Sequence, residues 1–190
     1  MIAVYLLLVL LALLLVAVIR TLLMPNKVST YVAPPIDDRA MGYAEKLSKM
    51  VAYDTTSHAG LHDRQRFLGF HKVLEELFPL VHEALEKTEI EGNLLYKWSG
   101  KSSDKPIVLM SHQDVVPAEG TWSHEPFSGD IADGKVWGRG AADTKASVMA
   151  FFQAVEELLA AGYVPEQDVY LVSSCPRNGA ATAAPNWWRS

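Results

Sequence analysis

One cysteine stands in 190 residues. Cys175 alone can form neither an intramolecular disulfide nor a cysteine-cluster metal site, so any metal must be held by histidine and carboxylate. Positive charge is also scarce. Lys and Arg number 17 against 22 Asp and Glu, a net charge of -5. Residues 1–34 hold two basic residues, Arg20 and Lys27, and no acid, which leaves the remainder at -7. An acidic body without a basic stripe excludes nucleic acid as the main partner. No internal repeat is present. Hydrophobic residues make up 49% and charged residues 21% of the chain, too apolar a balance for a disordered polypeptide. The length suits one ordinary domain or part of a larger one.

Residues 2–19, IAVYLLLVLLALLLVAVI, are an apolar run of 18 without interruption. At about 1.5 Å per residue this nearly crosses a hydrocarbon core of about 30 Å, and Thr21–Met24 extend it. No Lys or Arg precedes the run and no Ala-x-Ala follows it, so an uncleaved transmembrane anchor over 1–24 is preferred to a removable signal peptide or a buried soluble helix. Arg20 and Lys27 follow the span, a weak vote for a cytoplasmic body.

Pro25, Pro34 and Pro35 mark 25–38 as a linker. Apolar residues at helical spacing predict helices over about 39–53, 63–78 and 144–162, the last stopped by Gly162. GNLLYKWS, 92–99, reads as a strand followed by a turn at Gly100–Asp104. PIVLMSH, 106–112, and DVYLVSSC, 168–175, read as buried strands, the first parallel and opening at a site at its carboxyl end. Residues 117–138 form loop and hairpin. The alternation points to an α/β sandwich.

His112 and Asp114 lie two apart at the end of a strand. Alternation puts them on one face, where Asp114 can fix the His112 tautomer and leave the other nitrogen for a metal. Asp143 lies in Gly138-Arg139-Gly140-Ala141-Ala142-Asp143-Thr144-Lys145, a glycine-bearing turn opening a helix, from which a carboxylate can bridge two cations. Taken singly, His-x-Asp is an ordinary polar pair and Asp143 a helix cap. His58 and His62 lie in a loop, His71 and His82 on helical segments, and all four read as structural or solvated. His124 has no assigned role. Lys145 reads as support for the helix start and Cys175 as a buried strand residue.

The ordered set Ser111-His112-x-Asp114-Val115-Val116-Pro117, Trp122, Pro126-Phe127-Ser128-Gly129, Asp133-Gly134 and Gly138-Arg139-Gly140-x-x-Asp143-x-Lys145 resembles the dinuclear zinc metallopeptidase family. That family includes acetylornithine deacetylase, succinyl-diaminopimelate desuccinylase, aminoacylase and Gly-X carboxypeptidase. The resemblance runs from about 40 to 175 and is strongest to the Gly-X carboxypeptidase branch. It implies the three-layer α/β sandwich of a zinc-exopeptidase catalytic domain over 39–175, behind the transmembrane helix. It implies two zinc ions, with His112 a ligand of one, Asp143 bridging both and Asp114 the catalytic partner that orients His112. The implied substrates are small peptides or N-acyl-amino acids, hydrolysed at the amide bond.

The family pattern continues with a Glu-Glu pair, general base and zinc ligand, where this chain reads Cys175-Pro176-Arg177-Asn178. Later ligands and the smaller lid or dimerisation domain are also expected beyond Ser190, so a homodimer is expected only with that domain. One His and one bridging Asp cannot fill two four-coordinate zinc shells. In the frame starting at each third codon base, the tail forces Leu and Val across Asn186-Trp187-Trp188 and permits Glu-Glu-x-Ser-Gly-x-Gly from Pro176. Residues 176–190 therefore read as an out-of-frame tail. The expectation is a metal-dependent amide hydrolase by family, inactive as this 190-residue chain, with a truncated pseudoenzyme or membrane-anchored binding protein as the alternative.

Overall fold

A computed structural model describes residues 1–25, 35, 37–58 and 63–175. Most of the expected linker, His62 and the expected out-of-frame tail lie outside the described residues. The chain divides into two compact units, one ending at Pro35 and the other starting at Ile36. The first holds α1, Ile2–Leu22. Within it Val4–Leu22 is long and apolar enough to cross a membrane, with a mean hydropathy of 2.7 and none of its residues buried.

The second unit is mixed α/β. Helix α2 spans Asp38–Ala52 and α3 spans Arg64–Leu77, each started by an aspartate, Asp37 or Asp63, whose side chain accepts an N–H of the first turn. The short α4, Pro79–Ala84, begins on a proline, whose missing N–H costs nothing at that position. Strand β1 is Glu86–Ile90, β2 Asn93–Trp98, β3 Ser102–His112 and β6 Gln167–Ser174, forming one sheet in the order β1-β2-β6-β3. Only β3 and β6 run parallel; the other two pairings are antiparallel. The tiny hairpin β4–β5, Ile131–Ala132 and Lys135–Val136, turns on Asp133-Gly134 with both φ angles positive (53° and 69°), the turn that strand twist favours. Helix α5 spans Ala146–Ala160 and is followed by Gly162 at φ 70°, the left-handed stop its sequence predicts.

One hydrophobic cluster joins the four helices of this unit to Leu94, Tyr96 and Trp98 of β2 and to Val169 and Leu171 of β6. Tyr96 packs edge-on against Phe152, and its hydroxyl meets His82 Nε2 at 2.7 Å. Two sequence expectations need correction. Strand β3 starts at Ser102 inside the expected turn, through an irregularity between Ser102 and Ile107. Among the described residues it is also an edge strand and not a buried one: Ile107, Val108, Leu109 and Met110 are 37–70% exposed. A run of apolar residues marks a strand but carries no record of which neighbours cover it.

Candidate functional site

The carboxyl end of β3 is pinned from inside. Gln113 is fully buried; its Nε2 donates to the Gly92 carbonyl at 2.6 Å and its Oε1 lies 3.1 Å from His71 Nε2. The chain beyond it runs alongside Thr55–Ser57: Val115 N donates to Thr55 O at 3.1 Å, Ser57 N to Val115 O at 2.9 Å, and Thr55 Oγ1 to Gln113 O at 2.7 Å. With Gln113 turned inward, His112 and Asp114 both turn to the other side and line a cleft of about 220 Å³.

The His112 ring is held at both nitrogens. Nδ1 lies 3.0 Å from the Asp114 carbonyl oxygen and 3.3 Å from its carboxylate Oδ1. Two acceptors at Nδ1 hold a ring proton there. Nε2 faces Asp143 Oδ1 at 3.3 Å. Burial raises the Asp114 carboxyl above its ordinary range, against the pull of His112.

Asp143 reaches this position on the turn Ala141–Lys145, in which Asp143 and Thr144 leave helical conformation (φ -118° and -136°). Gly140 at φ 88° allows the approach: a Cβ there would stand 2.6 Å from Val115 Cγ1. Arg139 N, donating to Pro126 O at 2.7 Å, ties the turn to the preceding loop. Asp143 caps no helix; its side chain is 87% exposed in the cleft.

Lys145, by contrast, is fully buried, and its Nζ donates to the carbonyls of Met50 (2.9 Å) and Tyr53 (2.6 Å) at the end of α2. Burial pushes its ammonium down to about 7, with the Asp54 carboxylate opposing. It thus supports two helices at once, the end of α2 and the start of α5. The other histidines stay away from the cleft's polar end. His58 is exposed and His71 buried. His124 stacks on Trp137 at 4.6 Å, with Nδ1 2.9 Å from Asp130, in an adjoining bay. Arg139 and Trp122 form the cleft's far wall, the guanidinium 4.6 Å from the ring centroid; both lie in the sequence motif, but no local pattern tells that they face the histidine.

Residues 108–175 match peptidase family M20/M25/M40. That segment belongs to the M20 family. The chain is 41% identical over 135 residues to probable carboxypeptidase S-like 2 of Dictyostelium discoideum, covering 67% of this chain and 26% of that protein. It is 38% identical over 124 residues to human N-fatty-acyl-amino acid synthase/hydrolase PM20D1, covering 60% of this chain and 24% of the relative. The fold is similar to part of human carnosine dipeptidase 1, with a TM-score of 0.55 at 20% identity, over 72% of this chain and 32% of the dipeptidase. The chain therefore spans about a quarter of the length of these curated M20 relatives.

M20 peptidases are metal-dependent, and the residues can be tested for that role. Bonds of about 2.0–2.1 Å in a tetrahedral zinc shell put neighbouring donors about 3.3 Å apart. His112 Nε2 and Asp143 Oδ1 stand 3.3 Å apart at one cleft. In kind and spacing the pair fits zinc. In number it does not fill a shell: among the described residues no group of three His, Cys, Asp or Glu side chains could hold a metal ion.

Proposed function

We propose that this chain carries one wall of the site of a zinc-dependent amide or peptide hydrolase acting on small peptides or N-acyl-amino acids. The observation that carries this reading is the separation between His112 Nε2 and Asp143 Oδ1. In it His112 is a ligand of one zinc and Asp143 bridges two. Asp114 keeps the His112 proton on Nδ1 and so keeps Nε2 free. Zinc bound there supplies Lewis acidity toward the amide carbonyl and an activated water at neutral pH. The three-layer sandwich of the complete catalytic domain belongs to the same reading. The activities for which the relatives are named, a carboxypeptidase and a fatty-acyl-amino acid hydrolase, support the substrate class.

Zinc titration of the purified chain tests the ligands. Weak binding is expected, lowered at least about tenfold by His112→Ala or Asp143→Asn and about tenfold by Asp114→Asn. Equal affinity in wild type and both ligand variants would remove the reading. Among the described residues no third donor converges on the pair, which favours a second reading for the chain alone, a non-catalytic binding protein of this family. A missing general base costs about 10²- to 10⁴-fold, and an open metal shell adds to that. No measurable hydrolysis of N-acetyl-amino acids or Gly-X dipeptides is therefore expected from the 190-residue chain in excess zinc. Zinc-dependent turnover that survives His112→Ala would show that the site lies elsewhere.

We infer that α1 is a single-pass membrane anchor, on its length and its exposed apolar side chains. Alkaline carbonate extraction should leave the intact chain in the pellet. Intact chain in the soluble fraction would remove the anchor, and a mature protein starting near residue 25 would make the segment a signal peptide.

A further inference from the structure

The two candidate ligands come from separate elements, β3 and the turn before α5, so something must set the distance between them. Among the described residues, every hydrogen bond that joins β3 to the Ala141–Lys145 turn passes through two hydroxyl side chains. Thr144 Oγ1 donates to the His112 carbonyl at 2.7 Å. Ser111 Oγ donates to Thr144 Oγ1 at 2.7 Å and lies 3.4 Å from the Thr144 carbonyl. The directions are forced. A carbonyl can only accept, so the single Thr144 proton goes to His112, and the Ser111 hydroxyl must supply the proton of the second bond. The chain Ser111 → Thr144 → His112 carbonyl then has one arrangement and no spare donor.

We propose that Ser111 and Thr144 are positioning residues that set the separation of His112 and Asp143 and so pre-form the cation site. The proposal rests on the reading of those two residues as metal ligands. Ser111 precedes one ligand and Thr144 follows the other, so the bonds tie the two backbones within one residue of each donor. Asp143 itself contributes little to the tie, because its side chain is 87% exposed. Without the Thr144 hydroxyl, the His112 carbonyl loses its partner in that turn, and besides the ligands only the long contact from Ser111 Oγ to the Thr144 carbonyl, 3.4 Å, still joins the Asp143 segment to β3. A cation must then order what the two hydroxyls had already ordered.

Visible absorption of cobalt(II) titrated into the full chain in detergent reads the effect on the site. Thr144→Val keeps the branched shape and loses the hydroxyl; it should weaken cobalt binding about 10- to 100-fold. Thr144→Ser keeps the hydroxyl and should stay within about threefold of wild type. Ser111→Ala leaves the bond to His112 in place and should fall between the two. The double variant should be no weaker than Thr144→Val alone, since both residues act in one network. A second measurement needs no metal. Nitrogen-15 resonances of the His112 ring should be sharp and Nδ1-protonated in wild type and Thr144→Ser, and broadened or shifted in Thr144→Val. If Thr144→Val matches wild type in both measurements, or Thr144→Ser falls as far as Thr144→Val, the positioning role is wrong. If cobalt binds His112→Ala and wild type alike, the ligand assignment fails instead, and the His112 resonances still decide the proposal.

Discussion

Replacing Lys145 by alanine is expected to lower the unfolding free energy of the α/β unit by about 3–5 kcal/mol. The ammonium is fully buried and forms no ion pair among the described residues; its hydrogen bonds go to two backbone carbonyls, of Met50 and Tyr53. Those carbonyls end α2, where the helix has no N–H left to offer them. Removing the amine strands both acceptors in a place water does not reach, at about 1–3 kcal/mol each. Alanine also empties the space of the stem, which lies against the Phe70 ring (Nζ to centroid 5.1 Å). Lys145→Met refills that space and isolates the polar part, so it should recover about half of the loss. Urea unfolding of the three proteins in detergent, followed by tryptophan fluorescence, measures the series. A Lys145→Ala midpoint equal to wild type would mean that α2 ends on other partners.

The second expected result is a loss of about 3 kcal/mol of stability as pH falls from 6.5 toward 4. His71 is 3% exposed, and burial, helped by the charge of Lys87, pushes it down to about 4 while its bond to Gln113 opposes. The unfolded chain therefore takes up a proton near 6.5 that the folded chain refuses until about 4. The stabilising contribution is complete above the unfolded value and disappears through that window. Burial lowers His82 as well, so its contribution has the same sign. Asp114, raised by burial, pulls the other way at the acid end. His71→Gln should flatten most of the slope between pH 6.5 and 4.5 in thermal unfolding. A slope unchanged by that substitution would place the proton uptake elsewhere.

Local pattern carried much of this architecture. The helical stripes of α2, α3 and α5, the strands β2 and β6 and the Gly162 stop were all legible, because each depends on spacing within one element. The approach of Asp114 to His112 was legible too, since residues two apart on extended chain share a side. Two kinds of feature were not. Strand β1, Glu86-Lys87-Thr88-Glu89-Ile90, has little apolar content and is a strand only because β2 lies beside it. Partners distant in sequence leave no periodic trace either: Lys145 with the end of α2, Thr144 with His112, and His71 with Gln113 join residues 32 to 95 positions apart. Lys145 reads from its sequence place as support for the helix start, and its hydrogen bonds to two backbone carbonyls agree with that, but nothing in the sequence tells which carbonyls they are.

The two borders of the sheet differ in a way that bears on how the chain survives in a crowded solution. The β1 border is lined with Glu86, Lys87 and Glu89, charges that discourage another extended segment from adding to it. At the β3 border Lys105 and Pro106 guard only the first half, and Ile107–Met110 stand open. Among the described residues no strand pairs with that border, and four apolar residues there form a template for any extended polypeptide that meets them. Losses by that route would grow with concentration and with time, whatever the unfolding free energy, because they depend on encounters at one border of the sheet.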